Sequence, residues 1–194
     1  MKTISFEVSD QFIIKKSEFI GIATPVVTMD DALCRVKQAW SVYENAHHIA
    51  WAAKVSNRVR IHDDGEPSGT AGMPILNVIQ HQQLENILVM VIRYYGGIKL
   101  GAGGLTRAYS QGAAIAIQQA ELVEFVPMQK LELNFQFSKE GQIRRMIHEY
   151  DADILAMEYQ TDCHMLVEVE KARAKDFTQA LTDVCHGQLE AIPK

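Results

Sequence analysis

Cysteine, basic excess and long apolar runs are all scarce in this chain, and each shortage closes off a class of protein. The three cysteines, Cys34, Cys163 and Cys185, are odd in number and widely spaced. That fits no disulfide framework and points to a reducing compartment. The formal net charge is -5, so nucleic acid is not held through overall charge, because displacing counterions takes a basic surface. A local basic patch stays open. The longest apolar run, residues 87–92, is far short of the roughly 20 residues of a membrane span. The N-terminal stretch MKTISFEVSD lacks the apolar core of a signal peptide. Together these absences predict a soluble, cytoplasmic protein with no membrane partner.

Hydrophobic periodicity is plentiful, and it is clearest in the last third. Leu131, Leu133, Phe135 and Phe137 alternate with Glu132, Asn134 and Gln136, the period-2 mark of a half-buried strand. Ser138 is placed to cap a helix in which Ile143, Met146, Ile147 and Tyr150 recur at helical spacing. Residues 154–160 and 165–170 read as strands turning at Thr161-Asp162. Phe177, Ala180, Leu181 and Val184 predict a second helix ended by Gly187, and residues 189–192 a last strand. The order βαββαβ is the ferredoxin-like arrangement.

The first part is more mixed. Strands are predicted at 4–8 and 12–27, the second interrupted by Lys15-Lys16-Ser17-Glu18. Asp30 begins a helix with Leu33, Val36, Trp40 and Tyr43 on its apolar side. Residues 47–54 and 59–62 form a strand pair turning at Ser56-Asn57, and 63–72 is loop. Thr70 caps a helix to about Gln82, 87–92 is a strand covered on both faces, and 105–121 is a final helix. Pro127 marks the boundary. The predicted class is α+β, with one domain over 1–126 and a ferredoxin-like domain over 127–194. Residues 1–125 carry 11 Lys+Arg against 12 Asp+Glu, and residues 126–194 carry 8 against 12. The first domain is the less unsuited to an anionic partner.

Eight of the 12 glycines lie between Gly65 and Gly104. Glycine is entropically costly and is kept where φ is positive or where something approaches the backbone closely. The segment RYYGGIKLGAGGLTRAY leaves a buried strand and enters a helix, where unpaired N–H groups and the helix dipole favour an anion. Gly96, Gly97, Gly101, Gly103 and Gly104 line it, and Lys99 and Arg107 add positive charge. The phosphate-loop pattern is missing, since Ala102-Gly103 follows Gly101 where Lys-Ser/Thr belongs. The dinucleotide pattern fails at Thr106, and Ser68 sits in no nucleophile elbow. Two readings remain open, an anion site for phosphate or carboxylate and a set of glycines that only permits close packing.

The other glycine segment, HDDGEPSGTAG, holds Asp63, Asp64 and Glu66. Such carboxylates suit Mg²⁺, or they pair with Arg93, Lys99 or Arg107 to rigidify the loop, and the Asp-Gly turn signal favours pairing. His47 and His48, adjacent on a strand, point to opposite faces, so at most one, taken as His48, faces the glycine loops. Cys163-His164 is a poor metal pair without a second cluster. Tyr95, with Tyr94 and Tyr109, is of a type that stacks on bases or simply packs. Lys15 and Lys16 read as a solvated strand edge that would suit a phosphate contact. No cofactor motif and no nucleophile stand out.

His47-His48 with Trp51, DDGEPSGTAGMPIL and VIRYYGGIKLGAGGLTRAY together resemble the signature of the IMPACT family, in its bacterial YigZ group. KKSEFIG resembles the family's N-terminal element, and the likeness runs from about Lys15 to Ala120. The resemblance implies a first domain similar to the second domain of ribosomal small-subunit protein five. It implies a second domain related to the ferredoxin-like domains of elongation factor G. It further implies a translation-associated binding or regulatory protein contacting RNA, the ribosome or a translation factor, while the residues themselves lead to no expected cofactor or metal and leave the oligomeric state open. An enzyme using Mg²⁺ on a small phosphorylated or carboxylated substrate is the alternative.

Overall fold

The computed structural model describes residues 1–185 and 189–193. It divides the chain into two compact units, Met1–Phe125 and Val126–Lys194. Among the described residues, no helix is long and apolar enough to cross a membrane.

The first unit is built on an antiparallel sheet of β2 (Val8–Ile14), β3 (Ser17–Pro25), β4 (His48–Val55), β5 (Arg58–His62) and β6 (Ile87–Tyr94), in the order β2-β3-β6-β4-β5. A short pair, β1 (Lys2–Ile4) with β7 (Leu122–Glu124), brings the two ends of the unit together. The unbroken apolar run in β6 is explained by helices on both sheet faces. Ile87, Val89 and Val91 pack toward α2 (Gly72–His81) and α3 (Ala102–Gln118), together with Phe19, Ala50, Ala52, Ile75 and Ala113. Leu88, Met90 and Ile92 pack toward α1 (Met29–Val42), together with Ile22, Trp51 and Val36.

Several predicted details shift for local physical reasons. Lys15 and Lys16 are not a strand edge. Both have positive φ (47° and 64°) and form the two-residue turn between β2 and β3, a backbone shape matched to hairpin twist. The first helix begins at Met29, where Thr28 accepts from the Asp31 N–H, and buries Ala32, Val36 and Ala39 while Trp40 is 41% exposed. Thr70 does not cap α2, because its hydroxyl donates to the Pro67 carbonyl. The last helix of the unit starts earlier than predicted, at Ala102.

The second unit runs β8 (Met128–Phe135), a 3-10 turn (Phe137–Lys139), α4 (Glu140–Glu149), β9 (Asp153–Tyr159), β10 (Cys163–Glu170), α5 (Ala174–Val184) and β11 (Leu189–Pro193). The sheet order β11-β8-β10-β9 is the ferredoxin-like pattern. Ser138 lies inside the 3-10 turn rather than capping α4. Gly187, expected to end the second helix, lies outside the described residues. The core joins Leu131, Leu133, Phe135, Met165 and Val167 to Ile143, Ile147, Phe177 and Leu181, so both helices cover one sheet face.

Candidate functional site

The two glycine-rich segments are tied to one end of the first sheet by a row of side chains across three strands. Arg93 stands between Phe19 and His48 in the antiparallel register. Phe19 and Arg93 belong to the face that carries α2 and α3, and directly opposed residues share a face. Arg93 is 5% exposed, its guanidinium 5.5 Å from the Phe19 ring centroid and 5.3 Å from that of Tyr95.

Glu66 reaches into this row from the first glycine segment. Its Oε1 accepts from Arg93 Nη1 at 2.5 Å and from the Tyr109 hydroxyl of α3 at 2.7 Å. One buried carboxylate oxygen thereby joins the 63–72 loop, the end of β6 and α3. Tyr109 is fully buried, and its pKa is pushed upward by burial, then by the charge of Glu66 and the hydrogen bond to it, with Arg93 opposing. It stays a protonated donor.

His48 supplies a second tie. The Asp64 carbonyl can only accept, so His48 Nδ1 carries a proton and donates to it at 2.7 Å. The other ring nitrogen, Nε2, lies 3.8 Å from Glu66 Oε1. Asp64, at φ 51°, accepts from the Ile49 N–H through Oδ2 at 2.7 Å. His47 serves the other segment, its Nδ1 accepting from the Tyr95 N–H at 3.2 Å. The two neighbouring histidines thus hold one glycine segment each.

Asp63 is the true cap of α2. Its carboxylate accepts from Gly69 N at 2.8 Å, Ala71 N at 3.1 Å and Gly72 N at 2.8 Å. Partial burial pushes its pKa up, but the three N–H donors outweigh this and hold it below the ordinary carboxylate value. Asp63→Ala is expected to cost about 2 kcal/mol, the upper end for losing a cap. Because the folded pKa is lowered, this stabilisation is present above about pH 4 and fades as pH falls through the folded value. Unfolding curves of wild type and Asp63→Ala should therefore converge in acid. A constant gap down to the acid transition would refute the assignment.

Each acidic candidate is thus committed: Asp63 to the α2 cap, Asp64 to β4 and Glu66 to Arg93. Among the described residues, no group of three His, Cys, Asp or Glu side chains is placed to hold a metal. Arg93 and Glu66, candidates for ligand contact in the sequence, are buried supports of the loop. Of the pairings open to Arg93, Lys99 and Arg107, the structure forms the one with Arg93.

The second segment has a different surface. Gly97 and Gly101 take φ of 83° and 71°. A Cβ on Gly96 would lie 2.0 Å from the Lys16 carbonyl, and the Gly96 N–H donates to Ser17 Oγ at 3.1 Å. The Lys15-Lys16 turn therefore abuts the bend at Gly96. Gly101, Ala102 and Gly103 are exposed where α3 begins, without a side-chain cap or an acidic residue in the first turn. Arg107 folds back so that its Nη1 lies 3.7 Å from where a Cβ on Gly103 would stand. Gly104 packs against Leu100 instead. Lys15, Lys16, Lys99 and Arg107 are all exposed. Tyr95, next to Gly96 in the chain, is 38% exposed.

Sequence reasoning missed three residues. Glu85, 2% exposed, pairs with Lys54 Nζ at 3.0 Å and accepts from the Asn57 N–H, fixing the β4–β5 turn. Gly21 and Gly112 form the closest approach of α3 to β3. Only their places in a strand and a helix, where glycine is disfavoured, would have flagged them.

Residues 15–117 match the Impact N-terminal domain, and residues 133–188 match the domain of unknown function DUF1949. The chain is similar to an IMPACT family member of Haemophilus influenzae, 33% identical over 91% of this chain and 88% of that protein. It is 31% identical to the IMPACT family member YigZ of Escherichia coli, over 92% of this chain and 90% of the relative. A crystal structure of a hypothetical protein, 28% identical, aligns with a TM-score of 0.76 over 98% of this chain and 95% of its own.

Proposed function

The chain belongs to the IMPACT family, and from that premise we propose that it is a translation-associated binding protein. In this reading the glycine-rich surface of its first unit contacts RNA, on the ribosome or in company with a translation factor. The observation that carries it is the packing of the Lys15-Lys16 turn against Gly96, the first glycine of the segment that leads into the uncapped entrance of α3. Exposed amides at a helix N-terminus accept phosphate oxygens, and the macrodipole favours the negative charge. Lys15, Lys16 and Lys99 add point charges, Arg107 adds a fork over the first turn, and the half-exposed Tyr95 offers a ring face. The net charge of -5 confines such binding to this locality. The buried ties of Glu66 and the exposed hydrogen bond of His47 to the Tyr95 N–H hold the surface in shape.

The test is binding of single-stranded RNA, and co-sedimentation with ribosomes, across a salt series. Lys99→Glu is expected to weaken association several-fold and to flatten the salt slope by about 1, as for loss of one phosphate contact. Absence of salt-sensitive association in the wild type would defeat the proposal.

A further inference from the structure

The second unit carries a surface of the opposite character. In β8 and β10, alternate residues point to the helices, which leaves Lys130, Glu132 and Asn134, with His164, Leu166 and Glu168, on the other sheet face. The register sets them in rows. His164 lies between Asn134 and Glu158, and Leu166 between Glu132 and Ala156, with Ile192 beyond Glu132. Glu168 stands between Lys130 and Asp153. Among the described side chains of these three rows, Lys130 and His164 stand with four carboxylates. A groove of about 500 Å³ runs over the first two rows. Within it Asn134 Oδ1 is buried and makes no hydrogen bond with the described residues.

An unsatisfied acceptor between carboxylates calls for donors, and a groove with apolar Leu166 and Ile192 calls for aliphatic stems. Phosphate is the wrong chemistry here, because its charge repeats that of the face. We propose that this sheet face docks an arginine- and lysine-rich segment of another protein. Its cationic heads reach Asn134 Oδ1, Glu132 and Glu158, its stems lie on Leu166 and Ile192, and Glu168 and Asp153 extend the attraction along the strands. Arginine fits best, since its planar fork can serve a carboxylate and the amide oxygen together.

The test uses the full chain and a short fluorescein-labelled peptide alternating arginine and serine, followed by anisotropy. Glu158→Lys combined with Glu168→Lys is expected to weaken binding roughly tenfold or more, as for loss of paired charges at an interface. Asn134→Leu should weaken it several-fold with no change of charge. The control, Glu149→Lys with Asp176→Lys, makes the same charge change on the exposed sides of α4 and α5 and should leave affinity within about twofold. Lys99→Glu in the first unit should not weaken peptide binding, so this inference and the RNA reading fail separately. Equal loss in the two double variants, no effect of Asn134→Leu, or no binding by the wild type would each overturn the proposal. Matching thermal unfolding of the variants guards against a trivial loss of fold.

Discussion

Replacing Glu66 by alanine is expected to lower the unfolding free energy by roughly 3–5 kcal/mol, the range for removing one partner of a buried ion pair. Arg93 would remain 5% exposed between Phe19 and Tyr95, with its guanidinium deprived of a carboxylate. Its Nε has no hydrogen-bond partner among the described residues even in the intact protein, so no acceptor among them is ready to take the charge. The Tyr109 hydroxyl loses its acceptor at the same time. Glu66→Gln keeps an oxygen for both donors but removes the charge, and should cost roughly 1–3 kcal/mol. Glu66→Leu combined with Arg93→Met removes both charges and should be less damaging than Glu66→Ala alone, because no uncompensated ion is left inside. The chain's two tryptophans, Trp40 and Trp51, both lie in the first unit, so their fluorescence in urea reports on this unit by itself. A loss for Glu66→Ala below about 1 kcal/mol would place the pair in water rather than in the core.

That prediction depends on a choice among three carboxylates that composition cannot make. Asp63, Asp64 and Glu66 differ in the structure only by where each backbone carbon points after a turn with positive φ at Asp64 and Gly65. Asp63 folds back onto the N–H groups of Gly69, Ala71 and Gly72, six to nine residues ahead, a cap with none of the adjacent-residue signal that made Thr70 attractive. The turns show the same division. Ser56-Asn57 was legible because asparagine tolerates positive φ, as both residues here do. Lys15-Lys16 adopts a similar backbone without a residue that prefers it, so its sequence looks like an interrupted strand. Strict period-2 alternation in β8 and the all-apolar β6 left little doubt about either strand. Those patterns depend on faces, and faces are what a sequence records best. The exposed cations were visible as residues, but the contact of the Lys16 carbonyl with Gly96 joins positions about eighty residues apart, and no local rule anticipates it.

Gly21→Ala should produce the second large effect, a loss near the top of the overpacking range at about 3 kcal/mol. The added Cβ would stand 2.0 Å from the Gly112 carbonyl oxygen, 2.8 Å from its carbon and 3.2 Å from the Ala116 Cβ. The obstructing atoms are mainly helix backbone, which cannot rotate away, so α3 as a whole must retreat from β3. Gly112→Ala poses a softer problem. Its Cβ would meet Val91 Cγ1 at 2.9 Å and Cγ2 at 3.2 Å, a stiff, fully buried β-branched side chain, while alanine gains about 1 kcal/mol over glycine within a helix. It should cost less than Gly21→Ala, at roughly 1 kcal/mol, and the contrast between the two glycines tests whether backbone contact sets the spacing. Comparable small losses from both would mean that the helix is not held so closely. Retreat of α3 has a consequence beyond stability, because Tyr109 and the Gly101–Gly104 entrance ride on the same helix. Gly21→Ala should therefore weaken RNA association by the first unit without touching a residue of the proposed contact surface. Glu158 and the open sheet face stand on the second unit, whose core is separate, so arginine-peptide binding should be unchanged in the same variant.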